Sequence, residues 1–196
     1  MAGPDQEYST VGSKLRPFQI TEPMFTAMGR LLRACADIEN VVTMHLGRLG
    51  GFSEGQLLVL IGRSSITKKV KAARQFALAH GPDQVATHDM CFDNHAFRAI
   101  IRGRNVAAHG VLLGLTDDDR VAFRIETEPK VDSDMVSIET LTFAQDAFAT
   151  LAATAESAVP RLKAELELKP AFEAREGLGL HPSRKAKSTQ TRKRDA

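Results

Sequence analysis

The stretch "IRGRNVAAHGVLLGL", Ile101 to Leu115, contains the point at which the chain changes its hydrophobic period. Upstream of it, Phe92, Ala96, Phe97, Ile100, Ile101 and Ala108 recur at the spacing of one helical face, which predicts a helix from about Thr87 to His109. Gly110 stands where a helix commonly stops. Downstream, "GVLLGL" and "RVAFRIE" are short β-prone runs separated by Thr116-Asp117-Asp118-Asp119. They predict a β-hairpin over about 111–126. "MVSI" at 135–138 is a candidate third strand.

The segments around this switch read as helices. A long amphipathic helix starts near Thr21, with Pro23 in its first turn. It carries Phe25, Met28, Leu32, Cys35, Ile38, Val42, Leu46 and Leu49 on one face. Gly50-Gly51 ends it. Ser53 and Gln56 have capping-box spacing ahead of the run Leu57 to Ile61. Ser65 caps a third helix, whose inner face holds Ile66, Val70, Ala73 and Ala77, and Gly81-Pro82 stops it. Thr142 and Gln145 again have capping-box spacing and predict the start of the final helix. Pro160 is expected to kink or interrupt it. The expected fold is mainly α: an up-and-down bundle of four to five helices with a small β-hairpin inserted before the last helix. Residues 1–20 read as a flexible arm, 21–169 as one helical domain, and 170–196 as a disordered basic tail.

The chain has 196 residues and a formal net charge of +2. The charge is uneven. Six basic residues from Arg184 to Arg194, with Asp195 the one acid, give residues 184–196 a charge of +5, which leaves −3 on residues 1–183. Basicity therefore belongs to the tail and says little about the domain's own affinity for nucleic acid. Cys35 and Cys91 sit in apolar contexts outside any C-x-x-C pattern, as expected of reduced thiols in a cytoplasmic protein. The first twenty residues hold no apolar core of signal-peptide length, and no segment has the length of a membrane span. A Gly-rich phosphate loop, a zinc-spaced Cys/His set and an H-E-x-x-H pair are all missing from the sequence. No metal and no cofactor are expected.

The chemistry concentrates in the last turns before Gly110. Arg102, Arg104, Asn105 and His109 lie within eight positions. An arginine can hold a phosphate with two parallel hydrogen bonds and stabilise charge that builds on it. A histidine titrates near neutrality and can take a proton from a ribose 2′-hydroxyl or give one to a leaving oxygen. Asn105 can orient either partner. The same residue types are also ordinary at a helix C-terminus, where cations complement the dipole and donors meet free carbonyls. On an ideal helix Arg102, Asn105 and His109 share a face, whereas Arg104 lies ~140° from His109. Arg104 then needs a long reach, a distorted last turn or a second chain to converge on His109.

"RNVAAHG" resembles the R-x4–6-H signature of the HEPN superfamily, the higher eukaryotes and prokaryotes nucleotide-binding domains. Arg104 and His109 fit R-x4-H with Asn105 in the polar place. Arg102 and His109 fit R-x6-H but put Gly103 there. The "IEN" of the first helix, the "AHG" leading straight into a hairpin and the final helix are similar to a group of bacterial HEPN-like proteins, over about residues 22–168. The resemblance implies a helical bundle that dimerises with the two motifs facing each other, and a metal-independent endoribonuclease that leaves a 2′,3′-cyclic phosphate. It also implies a role as toxin or anti-phage effector, with RNA as substrate and an antitoxin or other protein as partner. Other members have lost catalysis and act as binding or scaffold modules. Carried over, Arg104 polarises the scissile phosphate, His109 is the general acid or base, Asn105 positions them, and Arg102 is an additional phosphate-binding candidate.

The other histidines form no second constellation. His45 reads as a partner-facing or solvated residue of the first helix, and His80 as a helix-end residue. His88 and His95, with Asp89 and Asp93, resemble a metal site only loosely. Lys68, Lys69, Lys71 and Arg74 make either a solvated face or a phosphate-contacting one. The three aspartates at 117–119 read as a turn.

Overall fold

A computed structural model describes residues 15–127 and 137–167. Residues 1–14 of the expected arm, the expected tail from 170 onward, and Met135 and Val136 of the third candidate strand lie outside the described residues. The described chain is mainly helical, with one small three-stranded antiparallel sheet.

Helix α1, Glu22–Gly50, is the element on which the rest is assembled. Thr21 caps it by accepting a hydrogen bond from the Met24 amide, and Gly51 closes it at φ 64°. Its buried stripe runs from Met24 through Leu31, Ile38 and Val42 to Leu49 and packs against α3, α5 and α6. Helix α2, Glu54–Ile61, opens on the expected capping box of Ser53 and Gln56. Helix α3, Ile66–His80, is capped by Ser65, as its spacing predicts.

The single helix expected over 87–109 is two helices: α4, Pro82–Phe92, and α5, His95–His109. Asn94 makes the break. Its Nδ2 donates to the carbonyls of Met90 (3.1 Å) and Cys91 (3.0 Å) at the end of α4, and its Oδ1 accepts from the Phe97 amide (2.9 Å) at the start of α5. One side chain thus closes one helix and caps the next, a competition with the backbone for which asparagine is suited. The apolar period continues through the break because Phe92 and Phe97 still meet edge-on, 5.3 Å between ring centres.

The hairpin forms as expected, from β1, Val111–Leu115, and β2, Val121–Thr127. The third strand, β3, is longer and later than "MVSI": it spans Ser137–Phe143 and pairs with β2 from Thr127↔Ser137 to Val121↔Phe143. Thr142 therefore lies in a strand rather than capping a helix, and its Oγ1 accepts from Arg120 Nε. Helix α6, Ala147–Glu165, begins at Asp146 without a side-chain cap. It runs on through Pro160, which lies on its exposed side, where water can take the carbonyl that proline leaves unpaired. The inner face of the sheet brings Phe123 and Phe143 against Phe148 of α6.

Residues 15–20 are docked, unlike the free arm expected there. Arg16 exchanges two backbone hydrogen bonds with Leu115 at the edge of β1 (2.8 and 2.9 Å), and Phe18 and Ile20 pack on the core. Gly114 permits this crossing. Its φ is +143°, and a Cβ there would stand 2.4 Å from the Arg16 carbonyl oxygen. The aspartate-rich turn joins in, since Asp119 pairs with the Arg16 side chain.

Candidate functional site

The candidate residues lie on α5, which is held by its two neighbours. Gly103 lets the three helices approach: a Cβ there would meet Leu151 of α6 at 2.5 Å and Leu31 of α1 at 3.3 Å. Phe97, Ile100, Gly103 and Val106 face inward. At the C-terminal end the chain passes directly into β1. Gly110 is in extended conformation (φ −71°, ψ 134°), not the left-handed form of a helix-ending glycine, and its amide donates to the Val106 carbonyl at 2.8 Å. A Cβ on Gly110 would stand 2.5 Å from that carbonyl oxygen, so the glycine serves a close helix-to-strand turn.

With the inward stripe fixed, the outward face follows. Asn105 and His109 are exposed, and Arg102 and Arg104 are half-buried on its two margins. Arg104 Nη1 donates to Asn105 Oδ1 at 3.2 Å. The guanidinium thus extends onto the side chain that shares a helix face with His109, one turn away. No hydrogen bond or ion pair engages the His109 ring among the described residues. Burial pushes the Cys35 thiol up to about 11, and the Arg104 charge opposes that shift. Cys35 and Cys91 are both free and buried.

Arg102 is placed on the right face but is already occupied. Its Nη2 donates to Glu139 Oε1 at 2.8 Å, from α5 to β3, with both side chains about three-quarters buried. Sequence reasoning missed Glu139, since nothing in the spacing of residues 37 positions apart announces the contact. The signal lies in the register: Glu139 pairs with Ile125 at the end of β3 that faces α5.

The basic stretch of α3 is also partly spent. Lys69 is buried and bonded to Glu39 (2.5 Å), and Arg74 grips Asp89 with two bonds of 2.8 Å. That grip holds the Asp89 carboxyl down to about 2. Lys68 and Lys71 remain exposed.

His45 departs most from its expectation. It is neither solvated nor partner-facing but fully buried, between His88 (6.1 Å between ring centres) and Phe92 (6.4 Å). Among the described residues neither ring nitrogen has a hydrogen-bond partner. Burial, then the charges of Arg48 and His88, pull its pKa down to about 4. His88 is buried too, with Nε2 donating to the Val70 carbonyl at 3.1 Å and Nδ1 facing Asp89. His95 is exposed at the start of α5. His80 does act at a helix end, its Nε2 donating to the Leu49 carbonyl at 2.6 Å. Among the described residues no helix is long and apolar enough to cross a membrane.

No protein family, curated protein or solved structure matches this chain.

Proposed function

We propose that the chain is a HEPN-like, metal-independent endoribonuclease of the cytoplasm, built as an up-and-down bundle and acting as a homodimer in a toxin or anti-phage system. The observation that carries this reading is the outer face of α5, where Asn105 and His109 are both exposed one turn apart and the Arg104 guanidinium donates to Asn105. In the proposed reaction the ribose 2′-oxygen forms a bond to phosphorus and the bond from phosphorus to the 5′-oxygen breaks, leaving a 2′,3′-cyclic phosphate. His109 takes the proton from the 2′-hydroxyl or gives one to the departing 5′-oxygen. Arg104 bears the charge that accumulates on the phosphoryl oxygens, and Asn105 holds it in position. Arg102 binds phosphate only after leaving Glu139.

The Arg102–Glu139 pair favours a second reading, a HEPN-like module without catalysis that binds a protein such as an antitoxin or acts as scaffold, since it neutralises one of the two arginines. Incubating the full chain with mixed RNA in EDTA divides the two. Cleavage that His109→Ala and Arg104→Ala both abolish supports the nuclease. Intact RNA under every condition refutes it in favour of the binding module.

A further inference from the structure

Helix α4 is fastened to the fold by polar groups more than by apolar ones. Of its 11 residues only His88, Cys91 and Phe92 are buried, all near its C-terminal end, and no side chain caps its start. His88 Nε2 donates to the Val70 carbonyl of α3 at 3.1 Å. Asp89 takes two bonds of 2.8 Å from Arg74 of α3, and Gln84 accepts from Arg48 of α1 at 3.2 Å. The Arg74–Asp89 pair lies at the surface, where such pairs add little. A seam with so few buried apolar groups opens at lower free energy than the whole fold.

The buried part of the seam is a pair of imidazoles. His45 of α1 and His88 of α4 lie nearly face to face, 6.1 Å between ring centres and 25° between planes. Phe92 closes the pair, 6.4 Å from His45 and 5.0 Å from His88. The two rings differ in their surroundings. A proton on His88 meets the Asp89 carboxylate, 3.1 Å from Nδ1. A proton on His45 is opposed by Arg48 of its own helix and by His88 across the seam. Among the described residues no carboxylate reaches either His45 nitrogen. On α3, Arg74 is engaged with Asp89, and Lys69 is spent on Glu39 of α1. Helix α5 brings Phe97, which meets Phe92, and α6 brings Arg161 and Glu165 near Cys91.

Both ends of α4 are built to turn. Gly81 joins it to α3 at φ 108°, ψ 173°, a conformation that glycine reaches without strain, and no atom stands within 4 Å of where its Cβ would be. At the other end the chain breaks at Asn94 before α5 begins. Helix-terminal positions of this kind absorb the rotation when a segment swings.

We propose that α4 is an acid-sensitive flap: proton uptake at the His45–His88 pair swings it off α1 and α3 about Gly81 and Asn94, while α1, α5 and α6 stay packed. The opened flap bares Cys91 and Phe92 together with the two imidazoles. This does not depend on the cleavage chemistry. In the open form His45 meets water and takes a proton near pH 6.5, whereas the closed form refuses it until about 4, so falling pH favours opening. The ratio of open to closed rises about 20-fold between pH 7 and pH 5.

The two cysteines read this out, since Cys91 lies on the flap and Cys35 in α1, both free and buried. Dithiodipyridine labels thiols at acid pH, and peptide mass spectrometry separates the two sites. The labelling rate in the full chain, divided by that in the urea-unfolded chain at the same pH, gives the fraction of time each thiol is bare. The normalised Cys91 rate should rise about 20-fold from pH 7 to pH 5, while Cys35 rises less than about threefold. His45→Leu should hold the Cys91 rise below about threefold. Amide hydrogen exchange of the parent, corrected for intrinsic rates, needs no variant: amides 83–92 should lose protection at pH 5 while those of α1 and α6 keep it. Equal rises at Cys91 and Cys35, or equal loss of protection in all three helices, mean that the whole domain opens and overturn the flap. A Cys91 rate indifferent to pH overturns it too, as does a rise that survives His45→Leu in a variant with the parent's helical circular dichroism.

Discussion

Acidification should destabilise this protein through one side chain, His45. In the folded chain both of its ring nitrogens are buried without partners and its pKa is about 4, against 6.5 when unperturbed. The unfolded chain therefore takes up a proton near pH 6.5 that the folded chain refuses until near pH 4. Stability contributed by neutral burial is complete above pH 6.5, falls as pH drops through that window, and is lost below about 4. The full span corresponds to roughly 3 kcal/mol, most of it lost between pH 7 and pH 4.5. That is a large part of the stability of an ordinary domain. Urea unfolding at the two pH values, for the parent and for His45→Leu, isolates the contribution. Groups remote from position 45 contribute alike in both proteins and cancel in the difference. Leucine fills similar space and removes two unpartnered polar atoms, so at pH 7 the variant should be at least as stable as the parent. Its loss of stability on acidification should be smaller by roughly 2–3 kcal/mol. Equal losses in the two proteins would refute the assignment. So would a strongly destabilised variant at pH 7, which would mean that the ring nitrogens are bonded after all.

Two further changes probe the fold and the site. Asn94→Ala removes the cap of α5 and the two bonds that close α4, and should cost about 1–2 kcal/mol in urea unfolding at neutral pH. A change under a few tenths would mean that the junction is held by Phe92 and Phe97 alone. Glu139→Gln frees the Arg102 guanidinium. RNA binding followed against salt should then steepen by about one unit in the log–log slope. An unchanged slope would show that Arg102 does not reach phosphate.

Much of the secondary structure was legible in the chain, because it rests on local physics. The three N-terminal helix starts, with the caps at Thr21, Ser53 and Ser65, follow from side chains that bond amides three residues away. The hairpin follows from the change of period at Gly110. Local signals failed where two uses of one residue compete. Asn94 reads as one polar residue in a helical pattern, yet it splits the helix. Thr142 has the spacing of a cap, but its place in the β2–β3 ladder prevails, since seven paired positions outweigh one side-chain bond. His45 has the spacing of the buried stripe, and nothing nearby announces that neither nitrogen finds a partner.

The sequence by itself determined which residues are candidates: Arg102, Arg104, Asn105 and His109 are grouped by the pitch of one helix end, and that pitch put Arg104 off the histidine's face. Only the tertiary structure decided which of them are available. Gly103, wedged between α1 and α6, fixed the rotation of α5, so that Asn105 and His109 face water and the arginines flank them. The register of β3 then placed Glu139 on Arg102, while Arg104 was left to bend toward Asn105. Helical spacing is a property of neighbours along the chain, and it is enough to list a set of side chains. Whether a charge in that set is spent or free depends on a carboxylate brought from far away in sequence, and only the packed fold supplies it.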